Sequence, residues 1–381
     1  MKKLWLILVY AFAIFGFVML TGFLAVMFGL TDVAGKTDEH SAAYNDFAAQ
    51  TKDLLEPAEA ANTTSTDGLI GKIDEQIDIL EEIKTREKEN LCKIFVASQT
   101  ADYNAKNIFD AYKKYSSREL LDKMLFALQL KKDMPSFEQQ TKECMDKGID
   151  ENMLLAQFVE TKDANVFVWQ DSEHWRIIKE GLTRDKDKIN EAAKIAGTDP
   201  REIAAITIVE QLRLYYTQRE LFEKIFKPLK ILASANKMAW GIMAIKEKTA
   251  VQIEANLQDE KSPYYLGKEL ENILKFKSSN TSNERYARLT NEKDHFYSYL
   301  YGALYIKQIE TQWQLQGFDI SDRPEIIATI FNIGFKNSVP KANPLVGGST
   351  MNILGQTYSF GGLAHEFYYS GEMADVFPFE K

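Results

Sequence analysis

Glu210 is the side chain in this sequence best placed to do chemistry. It lies in GTDPREIAAITIVEQ, which runs from Gly197 to Gln211. Ile203, Ile206 and Glu210 follow one another at steps of three and four, so a helix would carry the carboxyl on the face where two isoleucines seek the core. Desolvation there disfavours the charged form and favours a proton donor near neutrality, the chemistry needed to release a glycosidic oxygen. A second reading is open at this point: a buried structural glutamate satisfied by Arg213 one turn on. The helix that positions Glu210 is legible from local rules. Asp199 suits the N-cap, Pro200 the first helical position, and Glu202 the acidic place of a capping box.

Three further blocks follow in order. GIMAIKEKTA, Gly241 to Ala250, opens on a glycine turn; LYGALYIKQIETQW, Leu300 to Trp313, contains Gly302, Ala303 and Tyr305; IIATIFNIGF, Ile326 to Phe335, contains Asn332 and Gly334. Together with the Glu210 window these blocks resemble the lytic transglycosylases of the lysozyme-like superfamily, which cut peptidoglycan glycan strands. That family has a Gly-x-Asp-Pro turn before its catalytic Glu, a Gly-Leu-Met-Gln turn ending in Thr-Ala, a Gly-Ala-x-Tyr helix and an Asn-Ala-Gly block. Gly241, Met243, Thr249 and Ala250 match the second pattern. Gln211 stands where the family has Ser, Ala244 for its Gln, Glu247 for its Pro and Phe331 for its Tyr. The resemblance spans about residues 190 to 340, with a polar insertion at about 251–295.

The resemblance implies a lysozyme-like helical catalytic domain; with the α-helical region and N-terminal transmembrane helix read from the residues before it, the expected fold is mainly α. The resemblance also implies one carboxylate with two tasks. Glu210 protonates the oxygen bridging N-acetylmuramic acid and N-acetylglucosamine, then takes a proton from the muramic C6 hydroxyl as that oxygen closes on C1, giving a 1,6-anhydro end. Gly241, Met243, Tyr305 and Asn332 are the expected substrate-binding residues. A hydrolytic lysozyme would direct water to C1, often with a second carboxylate, for which Asp319, Asp322, Glu325 and Glu366 are available. An inactive peptidoglycan-binding or assembly protein on the same fold is a third possibility, favoured by Gln211, Ala244 and Phe331.

The start of the chain places the rest outside the cytoplasm. Leu4 to Leu30 is a run without charge, about 40 Å as a helix against a hydrocarbon core of about 30 Å. Lys2 and Lys3 precede it and Asp32, Lys36, Asp38 and Glu39 follow, so an uncleaved signal anchor with its basic end in the cytoplasm is expected. The body would then face the periplasm or cell-wall space, with glycan strands and a cell-envelope assembly protein as expected partners. A net charge of -9 and the lack of a basic stripe argue against nucleic acid. Four histidines and two separated cysteines predict neither metal site nor cofactor. Cys92 and Cys144 are readable as a disulfide across a helical hairpin or as two buried thiols.

The expected organisation is an anchor over 1–35, a polar tether over 36–67 ending in NTTSTDG, a helical region over 68–185 and the catalytic domain over 186–381. Ile70, Ile73, Ile77 and Leu80 begin a helix whose register then meets Lys84 and Glu87, so any coiled coil is short. VFVWQ, Val166 to Gln170, reads as a strand, and Trp175, Ile178 and Leu182 as the core stripe of the next helix. The stretch from Leu212 to Lys237, with Pro228, predicts a longer helix and a broken second piece. The glycine- and aromatic-rich stretch from Asn343 to Met373 could form a wall of a saccharide groove, although Phe360, Leu363 and Phe367 share a helical core stripe.

Overall fold

The computed structural model describes residues 2–27, 35–53, 68–160, 165–217 and 239–379. Among these the chain is mainly helical. Helix α1 is Lys2–Met27, strand β1 Lys36–Thr37 and helix α2 Ser41–Asp53; α3 (Gly68–Ser98), α4 (Asp102–Tyr115), α5 (Arg118–Gln129), α6 (Phe137–Lys147) and α7 (Glu151–Glu160) follow. The long pair α8 (Glu173–Ala196) and α9 (Pro200–Tyr216) leads to strands β2 (Ala239–Trp240) and β3 (Ile245–Lys246). The remainder is α10 (Glu247–Gln258), α11 (Thr281–Leu289), α12 (Phe296–Leu315), α13 (Pro324–Ile333), β4 (Gly347–Gly348), β5 (Thr350–Ile353), β6 (Gln356–Ser359) and α14 (Phe360–Tyr369). The strands pair as three antiparallel two-stranded ribbons, β1 with β4, β2 with β3, and β5 with β6.

These elements form two compact units that interleave in sequence. One holds residues 1–41, 169–365 and 376–380; the other holds 42–168 and 366–375. The first is built around α9. Its N-cap forms as its sequence dictates: the Asp199 side chain accepts from the Arg201 N–H at 2.7 Å and Pro200 occupies the first turn. Every residue from Arg201 to Glu210 is buried, so α9 is enclosed on all sides rather than along one stripe. Arg201 is accommodated because its Nη1 donates to the Phe377 carbonyl at 2.9 Å and its guanidinium lies 4.3 Å from the Phe379 ring. Helix α8 packs beside α9 and α12, burying Trp175, Ile178 and Leu182. On α8, the buried carboxylate of Asp185 accepts from Tyr299 Oη at 3.1 Å and pairs with His295. Burial pushes Asp185 up, but the His295 bond and nearby cations outweigh it and hold the carboxyl below its usual range.

The second unit is a helical cluster in which α3 packs against α4, α5, α6 and α7. Cys92 on α3 and Cys144 on α6 form a disulfide. The last part of α3 is buried through Leu91, Ile94 and Val96, whereas Ile79, Leu80 and Ile83 are exposed. In the same unit Glu366 pairs with Lys131, and Tyr103 Oη donates to Glu372.

Helix α1 is long and apolar enough to cross a membrane. Its Trp5–Gly22 window has a mean hydropathy of 2.2, and none of that window is buried against the protein. Two local expectations are corrected. Val166–Gln170 is not a strand: residues 165–167 are irregular and Val168–Asp171 is a 3-10 turn, and the N–H groups of Val166 and Phe167 donate to the side-chain oxygens of Asn104 at 2.9 Å and Asn165 at 3.0 Å instead of to a neighbouring strand. The polar stretch read as a tether contains β1 and α2, where Tyr44 buries against Phe126 and Phe47 stacks on that ring at 4.2 Å. Ala244 adopts a left-handed conformation (φ +49°), which its side chain does not announce. Residues 54–67 with NTTSTDG, and 218–238 with Pro228, lie outside the described residues.

Candidate active site

Glu210 opens onto a cavity of about 240 Å³ in the first unit, with Arg213, Lys246, Tyr305, Asn332 and Ser349 also in its wall. Five segments supply these groups. Helix α9 brings Glu210 and Arg213, the β2–β3 ribbon brings Lys246, α12 brings Tyr305, α13 brings Asn332 at its last turn, and the segment between β4 and β5 brings Ser349. The volume lies below the roughly 300–1,000 Å³ common for ligand sites, so the cavity takes one ring or substituent rather than a strand.

The environment of Glu210 differs from the apolar slot expected. Glu210 is only 4% exposed, and Arg213 Nε donates to its Oε2 at 3.1 Å. Arg213 Nη2 donates to that same oxygen. A guanidinium one turn along the helix is therefore the group that compensates this buried carboxylate, since an unpaired buried charge is costly. Tyr305 is buried against Phe331 and Phe335, with ring centroids 4.7 and 4.4 Å away. Its hydroxyl has no hydrogen bond of ordinary geometry. Burial pushes the Tyr305 pKa up, Tyr264 adds to this, and the Phe335 backbone works in the opposite direction. Asn332 Oδ1 accepts from the Ser349 N–H at 2.8 Å, which ties the end of α13 to the chain after β4. The Ser349 hydroxyl is buried without a partner.

Gly241 and Met243, also expected in the cleft, do not line this cavity. Gly241 makes the turn between β2 and β3 at φ +72°, close to the Leu289 carbonyl. Gln211 Nε2 donates to the Ile242 carbonyl at 2.7 Å, tying that turn to α9. Met243 is fully buried; Thr207 donates to its sulfur at 2.6 Å and its methyl fills the space left by Gly302. Their spacing reflects packing between the turn, α9 and α12. A side chain at Gly241 would meet the Leu289 backbone and lie 2.7 Å from Ser298 Oγ, in a conformation that L-residues avoid. Gly241→Ala is therefore expected to destabilise the protein by about 3 kcal/mol, read as a fall in the denaturant midpoint. An unchanged midpoint would show that the turn relaxes freely.

The four alternative carboxylates lie elsewhere. Asp319 and Asp322 are exposed, Glu325 is buried beside Arg323, and Glu366 is held in the other unit by Lys131. None of the four lines the cavity. Of the aromatic rings in the C-terminal stretch, Tyr358, Phe360, Phe367 and Tyr369 are buried; the cavity residue from that stretch is Ser349, which the glycine-rich sequence around it did not single out. Lys246 was likewise missed, because its place depends on a ribbon of only two residue pairs.

A second acidic group sits at the other end of α9. Glu202 is buried and its Oε1 has no hydrogen-bond partner. Burial pushes its pKa well up, Glu310, Asp199 and Glu325 add to this, and Lys307 opposes it. The folded protein therefore holds a proton that the unfolded chain releases above about pH 4. The associated stability is complete below that pH and is lost as pH rises through the folded pKa. Glu202→Gln is expected to raise the Tm at pH 8 by about 3 °C and to change it little at pH 4. Thermal melts at both values test this, and an equal shift at both would remove Glu202 as the source.

Comparison of the chain with protein-family models, with curated proteins and with solved structures finds no match.

Proposed function

We propose that this protein is a membrane-anchored peptidoglycan lytic transglycosylase whose body lies in the periplasm or cell-wall space, on a divergent lysozyme-like fold. The observation that carries this reading is the convergence of Glu210, Tyr305 and Asn332 on one cavity from three different helices. The motif blocks that resemble the family are separated by up to about a hundred residues, yet three residues drawn from them share one small wall. The chemistry follows from a single buried carboxyl. Glu210 protonates the oxygen leaving muramic C1, and the resulting carboxylate accepts the C6 hydroxyl proton as O6 bonds to C1. No second carboxylate lines the cavity among the described residues, which favours ring closure by O6 over attack by an activated water.

The test is product analysis. Full-length protein in detergent micelles, incubated with purified peptidoglycan, is expected to release muropeptides with 1,6-anhydro ends, identified by mass. Hydrated reducing ends would assign a lysozyme instead. The Glu210–Arg213 pair, with Ala244 and Phe331 in the cavity wall, favours one other reading: a strand-binding protein without turnover, which would retain peptidoglycan in a pull-down and release nothing.

A further inference from the structure

We propose that the Glu210 site acts on glycan held at the membrane surface, strands that a lipid still fastens there by one end, and cuts them close to that end. This inference rests on the proposed lyase reading and deepens it by naming the substrate. It begins from where the chain after α1 is fastened. As a free tether, residues 36–67 would let the body range as far as about 140 Å from the end of α1. The chain is instead fastened from Lys36 onward. Lys36 pairs with Gly348 and Thr37 with Gly347. The Asp38 N–H donates to the Val346 carbonyl at 2.9 Å, and the Val346 N–H donates to Ser41 Oγ at 2.8 Å. Ser359 Oγ donates to the Asp38 carboxylate. The two backbones lie so close that a side chain at Gly347 would meet the Lys36 carbonyl.

This fastening point is beside the cavity. The Gly347 N–H donates to Thr329 Oγ1 on α13 at 3.0 Å. Ser349, the residue after β4, lines the cavity and donates its N–H to Asn332 Oδ1 at 2.8 Å. Nine peptide steps separate Met27, where α1 ends, from Lys36. Whatever their conformation, they span at most about 32 Å. The step across the β1–β4 pair and on to Ser349 adds about 10 Å. The cavity wall therefore lies within about 40 Å of the end of a helix whose Trp5–Gly22 window is apolar enough to cross a bilayer.

So short a reach selects substrate by location. A hydrophilic polymer buries no apolar surface against a bilayer, so it stays within this shell only where a lipid is attached to it. Lipid-held ends are also concentrated in the plane to which α1 confines the site, which raises the frequency of encounter without any new contact.

The test maps the cut. Full-length protein is reconstituted into vesicles together with glycan strands linked by one end to a membrane lipid, and the stubs left on the lipid are sized by mass. Two variants carry an insertion of roughly forty Gly and Ser residues, flexible by composition. One insertion lies between Leu30 and Thr31, ahead of the fastening point, and the other between Thr63 and Thr64, behind it. The parent is expected to leave short stubs, the first insertion to lengthen the median stub at least twofold, and the second to leave it unchanged. Equal stub lengths for the parent and the first insertion would overturn the proposal, and lengthening by both insertions would overturn the fastening at β1. A distance measurement gives an arm that needs no turnover. Lys336 is exposed and two residues beyond the cavity-lining Gly334, and Lys336→Cys offers a single thiol for a fluorophore because Cys92 and Cys144 are joined. Energy transfer to acceptor lipids should fall at least twofold with the first insertion and hold with the second. That pattern without cleavage of any strand would sink the lyase and keep the site at the membrane; transfer in the parent as weak as in the first insertion would sink the placement whatever the products.

Discussion

Replacing Glu210 by glutamine is expected to lower the release of anhydro muropeptides by about 10²–10⁴-fold, the usual contribution of a positioned acid or base. The amide keeps the size of the side chain and an oxygen for Arg213, so the helix and the cavity wall should persist. What it loses is the ability to give a proton to the leaving oxygen and to take one from O6. The readout is the rate of anhydro-end formation by mass analysis, with the circular dichroism melt of the variant as the control for folding. Unaltered release from a folded Glu210→Gln protein would remove Glu210 from the chemistry, and with it the reading built on this cavity. A loss of release accompanied by a collapsed melt would instead assign Glu210 to the ion pair with Arg213. Restoring the fold by substituting both members of the pair would then show whether turnover returns.

The second large effect is on stability. Cys92 and Cys144 are 52 residues apart and join α3 to α6. A loop of that length restricts the unfolded chain enough to contribute about 4 kcal/mol. Cys92→Ser with Cys144→Ser is therefore expected to lower the unfolding free energy of the helical unit by that order, seen in denaturant titrations, and reductant should have the same effect on the parent. An unfolding curve indifferent to reductant would show that the bond adds nothing. The bond also bears on location, since structural disulfides persist in oxidising compartments. Alkylation in cells should find both thiols blocked if the body faces the periplasm or cell-wall space.

Much of the fold follows from local chemistry and is readable in order. Helix α1 follows from an uninterrupted apolar run, and α9 from Asp199 and Pro200 at its start, where the side-chain cap forms at 2.7 Å. The core stripe of α8 follows from Trp175, Ile178 and Leu182 at helical spacing. Such features depend on neighbours within one or two turns, which is the range over which periodicity and capping act. Arg213 was also legible as a partner of Glu210, because residues three apart share a helix face.

The candidate site was legible in part, for a related reason. Tyr305 and Asn332 stand out by the blocks that contain them, whereas Gly241 and Met243 carry the same signal and serve the turn and the core. Spacing along a chain does not say which side of a packed element faces a cavity. Apolar content misled at Val166–Gln170, where burial of Phe167 and Trp169 is met by a 3-10 turn instead of a strand.

By itself, then, the sequence determined the apolar N-terminal helix, the start of α9, the core stripe of α8, and the glutamate and arginine that share a face of α9, since each depends on residues near in the chain. Only the tertiary structure decided that the polar residues after that helix pair with a strand more than three hundred positions later, Lys36 with Gly348 and Thr37 with Gly347. It alone placed Lys246 and Ser349 beside Glu210 and left the Tyr305 and Ser349 hydroxyls buried without ordinary bonds. The physical reason is that backbone pairing and burial are non-local: any exposed N–H and C=O can pair with any other, and which ones meet depends on how the enclosed helices pack.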